Sequence, residues 1–215
     1  MLAPAIELLL EGFHSFRRRY YVQAPELLHK LTTRGQSPKV ALLACCDSRV
    51  DPAIVLDAAP GELFVIRNVA NLVPPCETGA GGYHGTSAAL EFAVRGLAVE
   101  QIIVLGHAHC GGIRALMEGS PWEGAEASFI GPWIAIAQNA RARAVKEAAG
   151  QGDDAQLRAC ERRGVVVSLE NLMTFPWARE RVESGKLQIH GWYFDLDAGA
   201  IWGYDRATDA FQKLA

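Results

Sequence analysis

Two short apolar runs that end in metal-binding side chains constrain this chain more than any other feature. Residues 40–51 read Val-Ala-Leu-Leu-Ala-Cys-Cys-Asp-Ser-Arg-Val-Asp. A continuous Val/Leu/Ala run suits a strand covered on both faces, as in a parallel sheet. Side chains alternate along an extended chain. Cys45, Asp47 and Arg49 would therefore share one side and Cys46 and Ser48 the other, for as long as the chain stays extended. Residues 101–112 repeat the arrangement as Gln-Ile-Ile-Val-Leu-Gly-His-Ala-His-Cys-Gly-Gly. His107 and Cys110 stand at His-x-x-Cys spacing with glycines on both sides. Together with Cys45 they make a Cys2His set, three protein ligands with a fourth position open, which is the donor count of catalytic rather than structural zinc. Either half alone is weak, because Cys and His occur singly in many cores. Two strand ends with complementary donors are a strong signal.

Taken in order, the chain alternates strands with helices. An amphipathic helix is predicted over 5–21, with Ile6, Leu9, Leu10, Phe13, Phe16 and Tyr20 at three- and four-residue intervals and Arg17, Arg18 and Arg19 in solvent. A second short helix covers 25–33, and 35–38 turns into the first strand. Asp51-Pro52 opens a short helix, Asp as N-cap and Pro at the first position. A strand follows over 62–67, an irregular loop over 68–75, and a connection over 77–85 with four glycines. The helix expected over 86–97 has few exposed-face residues beyond Glu91 and Arg95, which suits a subunit interface. A strand over 101–105 leads to a helix over 111–117, whose first N–H groups point towards the metal site. A loop over 121–131 precedes helical stretches over 132–149 and 153–183, the second interrupted near Pro176. Strands over 188–196 and 200–204 pair through Asp197-Ala198-Gly199. The predicted fold class is α/β: a mostly parallel central sheet flanked by helices, with an N-terminal helical arm and a C-terminal antiparallel strand pair. Both ligand clusters fall at carboxyl ends of strands, where open α/β sheets place their sites.

Length and composition narrow the setting. A chain of 215 residues fits one domain with a full core, or at most two small ones. No repeat or linker divides it, so 1–215 is read as one domain, with a helical arm over 1–34 and a catalytic core over 35–215. A net charge of −3 offers no electrostatic reason to expect nucleic acid. Five cysteines do not make a disulfide framework in a chain this long, and a reducing, cytoplasmic location is expected. Leu8-Leu9-Leu10 lies between Glu7 and Glu11 with Arg17, Arg18 and Arg19 after it, the reverse of a secretory signal. No segment approaches the roughly 20 apolar residues that span a bilayer.

Cys45-x-Asp47-Ser48-Arg49 followed by His107-x-x-Cys110-Gly111-Gly112 resembles the β-class carbonic anhydrases. The similarity extends through 61–75, which reads Gly-Glu-Leu-Phe-Val-Ile-Arg-Asn-Val-Ala-Asn-Leu-Val-Pro-Pro, and through 85–94 and 168–176. Gln36-Ser37-Pro38 is similar to the plant-like, open-site members. The resemblance implies one Zn2+ per subunit on Cys45, His107 and Cys110, with carbon dioxide and bicarbonate as ligands. It also implies self-association as a dimer or a multiple of dimers through the N-terminal helices, with no nucleic acid or membrane partner. It places Gln36 in the substrate pocket, closed by Phe64, Val69 and Phe92 of a partner subunit, although Phe64 and Val69 serve equally well as core residues. Some bacterial members bind bicarbonate at a second pocket and carry a tryptophan where this chain has Leu42. Arg67 matches the arginine of that pocket, and it suits sheet and interface packing equally.

The chemistry of the donors agrees. Zinc on two thiolates and an imidazole activates a water near neutral pH, and the hydroxide so formed attacks carbon dioxide. Asp47 is placed to accept that hydroxide's hydrogen, and Arg49 to hold Asp47 as a bidentate pair. His109 adjoins Cys110 and cannot share its metal, so it is read as a group behind the ligands or a proton relay. Cys46, Cys76 and Cys160 are read as small packed residues. The expected function is zinc-dependent reversible hydration of carbon dioxide to bicarbonate and a proton. The alternatives are a related small-molecule hydrolase, such as a carbon disulfide hydrolase, and a non-catalytic zinc-stabilised binding protein with Asp47 as fourth ligand.

Overall fold

The computed structural model describes residues 3–77, 82, 84–119 and 128–215. Two helices open the chain, α1 (Pro4–Arg17) and α2 (Pro25–Arg34), joined through a wider π-helical turn at Arg18–Gln23. Next come β1 (Val40–Cys45), the short α3 (Pro52–Val55) and β2 (Leu63–Asn68). α4 (Gly85–Glu91) precedes β3 (Gln101–His107) and α5 (Gly111–Glu118). α6 (Ile130–Ile134), α7 (Gln138–Glu147), α8 (Asp153–Leu172) and α9 (Pro176–Glu183) follow. The described chain closes with β4 (Gln188–Asp195), β5 (Ala200–Asp205) and β6 (Ala210–Lys213). The predicted loops over 77–85 and 121–131 fall partly on 78–81, 83 and 121–127, which lie outside the described residues.

The six strands form one sheet in the order β2-β1-β3-β4-β5-β6. β1 runs parallel to both β2 and β3, and β3 parallel to β4. The continuous apolar run of β1 is explained by its central place, with Ala41 to Ala44 fully buried. Alternation assigns its side chains to two cores. Ala41 and Leu43 pack with Ile66, Val104 and Val165, and Leu42 and Ala44 with Ile103 and Leu105 on the other face. The predicted C-terminal strand pair is real, but a third strand extends it, because β6 pairs antiparallel with β5. That strand is short, with Phe211 its only partly buried residue, so apolar alternation did not mark it.

α1 forms as the periodicity predicts, yet none of its residues is buried. Ile6, Leu9, Leu10, Phe13 and Phe16 are all exposed. α4 likewise buries Leu90 on the core and continues through a turn that leaves Phe92 exposed. No helix among the described residues is long and apolar enough to cross a membrane.

α8 crosses β3 and β4 at glycines. A Cβ on Gly106 would lie 2.5 Å from Val165 Cγ2, and one on Gly191 2.9 Å from both Val165 Cγ1 and Leu169 Cδ1. The helix therefore sits closer to the sheet than any side chain would permit, which brings its own residues near the ends of β1 and β3. Gly191→Ala should destabilise the protein by about 1–3 kcal/mol through overpacking, more than the roughly 0.4–1 kcal/mol returned by stiffening the unfolded chain. The check is a lower denaturant midpoint at unchanged slope. An unchanged or higher midpoint would refute this close packing.

Candidate metal centre

The parallel register sets Ala44 of β1 beside Leu105 of β3, so Cys45 and His107 emerge together at the carboxyl edge of the sheet. The chain then turns at His109, held in the left-handed region at φ 58°, and Cys110 becomes the residue preceding α5. Gly112 lets α5 approach the turn after β2, since a Cβ there would lie 2.8 Å from Val69 Cγ1 and 2.9 Å from the Ala70 Cβ. The result is a cluster in which the Cys45, His107 and Cys110 ligand atoms all lie within 4.8 Å of one another. All three residues are buried.

The donor set fits a metal. Two zinc–sulfur bonds place their ends at most about 4.6 Å apart, close to the spread of these three atoms. His107 Nδ1 donates to the Ala108 carbonyl at 2.8 Å, which leaves Nε2 as the free lone pair. That Nε2 is buried and has no hydrogen-bond partner, a costly arrangement unless something ligates it. The Cys110 and His107 side chains beside the Cys45 thiol hold it well below its ordinary pKa, against burial. The same contact, reinforced by burial, pushes Cys110 up. Backbone N–H groups of Ile113 and Gly112 at the start of α5 face the Cys110 sulfur and favour its thiolate, as the predicted helix start required. Burial pushes His107 down, but the Cys45 sulfur, the Ala108 carbonyl and the Asp47 charge together outweigh it and the net shift is upward.

The strand ends at Cys45, so the extended grouping of Cys45, Asp47 and Arg49 is not what brings them together. A tight turn over 46–50 does so instead, with Val50 N–H donating to the Asp47 carbonyl. Arg49 grips Asp47 as a bidentate pair, Nε to Oδ1 at 3.0 Å and Nη2 to Oδ2 at 2.7 Å, and the Arg49 backbone N–H adds a third donor to Oδ1. These donors, led by the guanidinium, hold the Asp47 carboxyl well below the usual range. Arg67 braces the same turn from β2. Its Nε reaches the Cys45 carbonyl at 2.9 Å, Nη2 the Asp47 carbonyl at 2.7 Å, and Nη1 Asp51 Oδ2 at 2.6 Å. Asp51 caps α3 as predicted, accepting the Ala53 N–H at 3.0 Å.

His109 turns away from the ligands. Its Nδ1 accepts from Arg158 Nη2 at 3.0 Å, so Nε2 carries the proton and donates to Asp197 at 2.8 Å. Its carbonyl accepts from Arg49 Nη2 at 3.1 Å. Cys160 is buried as expected, but Cys46 is exposed beyond the last ladder residue, contrary to its reading as a packed residue. His190 meets Gln101 Oε1 at 2.7 Å. Phe64 and Phe92 lie against each other, ring centroids 5.9 Å apart, and Val69 packs beside the ligand cluster. Gln36 is exposed in the segment before β1. The sequence reading missed Glu161, a carboxylate 2% exposed behind Cys110. It stands beside Arg162 and Arg163 in the charged part of α8, so no pattern in the sequence marked it as buried.

The carbonic anhydrase family model matches residues 40–201. The chain is 43% identical over 197 residues to the mitochondrial beta carbonic anhydrase 6 of Arabidopsis thaliana, covering 92% of this chain and 67% of that protein. Among solved structures it is similar to the β-carbonic anhydrase CcaA, with a TM-score of 0.89 at 29% identity over 99% of this chain and 93% of the other. It is also similar to a tetrameric β-carbonic anhydrase from the filamentous ascomycete Sordaria macrospora, with a TM-score of 0.82 at 26% identity, covering 99% and 100%.

Burial and the position of the turn separate the two adjacent thiols. Cys45→Ser should abolish zinc retention, and Cys46→Ser should leave it intact. Metal content of the purified variants checks this, and the reverse pattern would displace Cys45 from the cluster.

Proposed function

The chain belongs to the β-class carbonic anhydrases, zinc enzymes that hydrate carbon dioxide reversibly to bicarbonate and a proton, and on that premise we propose which of its residues perform the reaction. Cys45, His107 and Cys110 hold the zinc. The observation that carries this assignment is their buried convergence, with the unpartnered His107 Nε2 turned to accept a metal. Zinc bound by such donors supplies a water activated for attack near neutral pH.

Asp47 orients the attacking oxygen. A carboxylate oxygen has two lone pairs; Oδ1 already receives two donors from Arg49, whereas Oδ2 receives one. Oδ2 therefore keeps a lone pair for a hydrogen of the reacting water and fixes the direction in which the oxygen presents itself to carbon dioxide. Arg49 keeps Asp47 charged, so it accepts rather than donates. The hold of Arg49 on this carboxylate also argues against Asp47 as a fourth metal ligand, and so against a purely structural centre. Gln36, Phe64, Val69 and Phe92 are proposed to line the substrate pocket. The tilted contact of the Phe64 and Phe92 rings supports a shared apolar wall for a small uncharged substrate.

Assembly as a dimer, or a multiple of dimers, completes the proposal. The exposed apolar stripe of α1 and the exposed Phe92 support it, because a second copy would remove both from water. Sedimentation should show no monomer at assay concentrations, and a fully active monomer would refute this.

Stripping zinc should abolish carbon dioxide hydration and restoring it should return the rate. Activity that survives complete metal removal would overturn the zinc mechanism. Asp47→Asn should keep its zinc yet lose about 10²–10³ in kcat, the usual cost of removing one positioned hydrogen-bonding group from a reaction centre. Unchanged turnover with zinc bound would exclude a catalytic role for Asp47.

A further inference from the structure

α8 carries charged groups into an otherwise apolar interface behind the metal centre. Glu161 is 2% exposed, and its carboxylate is divided between three neighbours. Oε1 accepts the Cys110 backbone N–H at 3.0 Å, and Oε2 accepts the Tyr193 hydroxyl at 2.8 Å. Arg158, one turn earlier on α8, brings Nη1 to 3.0 Å from Oε2 as a charge contact without hydrogen-bond alignment. The other arm of that guanidinium reaches His109 Nδ1 at 3.0 Å. A single turn of α8 thus touches two consecutive residues of the ligand loop.

We propose that Glu161 is a positioning residue for the metal centre: by accepting the Cys110 N–H, its buried carboxylate fixes the backbone from which the second thiolate projects. Cys110 is then held on every polar side. Its carbonyl accepts the Arg114 N–H at 2.9 Å as α5 begins, its sulfur faces the Gly112 and Ile113 N–H groups, and its own N–H has Glu161. Cys110 precedes the first turn of α5, so no helix carbonyl is available to its N–H. The left-handed backbone at His109 makes this grip necessary, because a non-glycine residue relaxes out of that region unless its surroundings hold it. Glu161 holds the residue after His109, and Arg158 holds the His109 ring. The carbonyl of His109 in turn receives Arg49 Nη2, which ties the same loop to the Asp47 pair.

Tyr193 provides the internal control. It shares Oε2 with Arg158 and makes its hydrogen bond to Glu161, not to Cys110, so Tyr193→Phe should cost stability without freeing the thiolate. Glu161→Met removes every acceptor at similar size. Glu161→Gln keeps one oxygen, yet its amide group must face either the Cys110 N–H or the Arg158 guanidinium, donor against donor in both cases, although the Tyr193 hydroxyl can turn to accept from it.

The inference rests on Cys110 being a zinc ligand, and the test separates the two. Wild type, E161M, E161Q and Y193F are purified with zinc, their zinc content and thermal midpoints are measured, and zinc transfer to excess chromogenic chelator is timed well below every midpoint. Both Glu161 variants should release zinc about 10–100-fold faster than wild type, the range found when groups holding a metal ligand are removed. Y193F should release at close to the wild-type rate even if its midpoint falls as far. If E161M does not fold, the contrast between E161Q and Y193F decides. Wild-type release from the Glu161 variants, or equal acceleration in Y193F, would overturn the inference while leaving the zinc site standing. Wild type that holds no zinc would overturn the ligand assignment and this inference with it.

Discussion

The metal centre depends on the parallel pairing of β1 with β3. Only with Ala44 beside Leu105 do Cys45 and His107 leave the sheet at the same edge, and only then can the turn into α5 return Cys110 to them. That pairing is driven by burial on both faces, since neither strand has a polar side to offer solvent. The site is thus a by-product of where two hydrophobic strands end, with the chemistry supplied by their last residues and by the turns that follow.

Strand ends at the edge of a core are poor places for charge, and the structure offsets this by pairing each charged group with a specific partner. Arg49 binds Asp47, Arg67 binds Asp51 and two carbonyls of the ligand turn, and Arg158 offsets Glu161. Burial raises the Glu161 pKa, and the Arg158 charge works in the opposite direction. Backbone strain gathers in the same region. Ala70, Asn71 and His109 are all left-handed without being glycine, and all lie in the turns that follow β2 and β3. Such conformations persist where neighbours over-determine them. Here the neighbours are α5 pressed against Ala70 through Gly112, and α8 reaching His109 and Cys110.

The same helix links stability to chemistry. α8 lies against β3 and β4 at Gly106 and Gly191, the core of the molecule on that face, and its Glu161 and Arg158 reach the ligand loop only because the approach is so close. A side chain at either glycine would lift α8 and with it both contacts. Packing of α8 on the sheet therefore sets the geometry of the loop that would hold the metal.

Much of this was legible in the amino-acid sequence alone. The apolar runs marked β1 and β3, the Cys2His donors marked the metal, and Asp51-Pro52 marked the start of α3, because each is a local property of residue type and spacing. The pairing of Asp47 with Arg49 was legible as well, although by a tight turn and not by strand alternation. Short, partly exposed β6 was not, since apolar alternation is absent where one face meets little core. Nor were the three bonds of Arg67, the two-sided clamp on His109, or the carboxylate of Glu161 behind Cys110. Those contacts join residues far apart in the chain, and no periodicity records them. Sequence by itself determined which donor atoms could hold a metal and which segments become buried strands. Tertiary structure alone decided what holds those atoms in place, because the direction of a side chain across a packed interface depends on the partner it meets there.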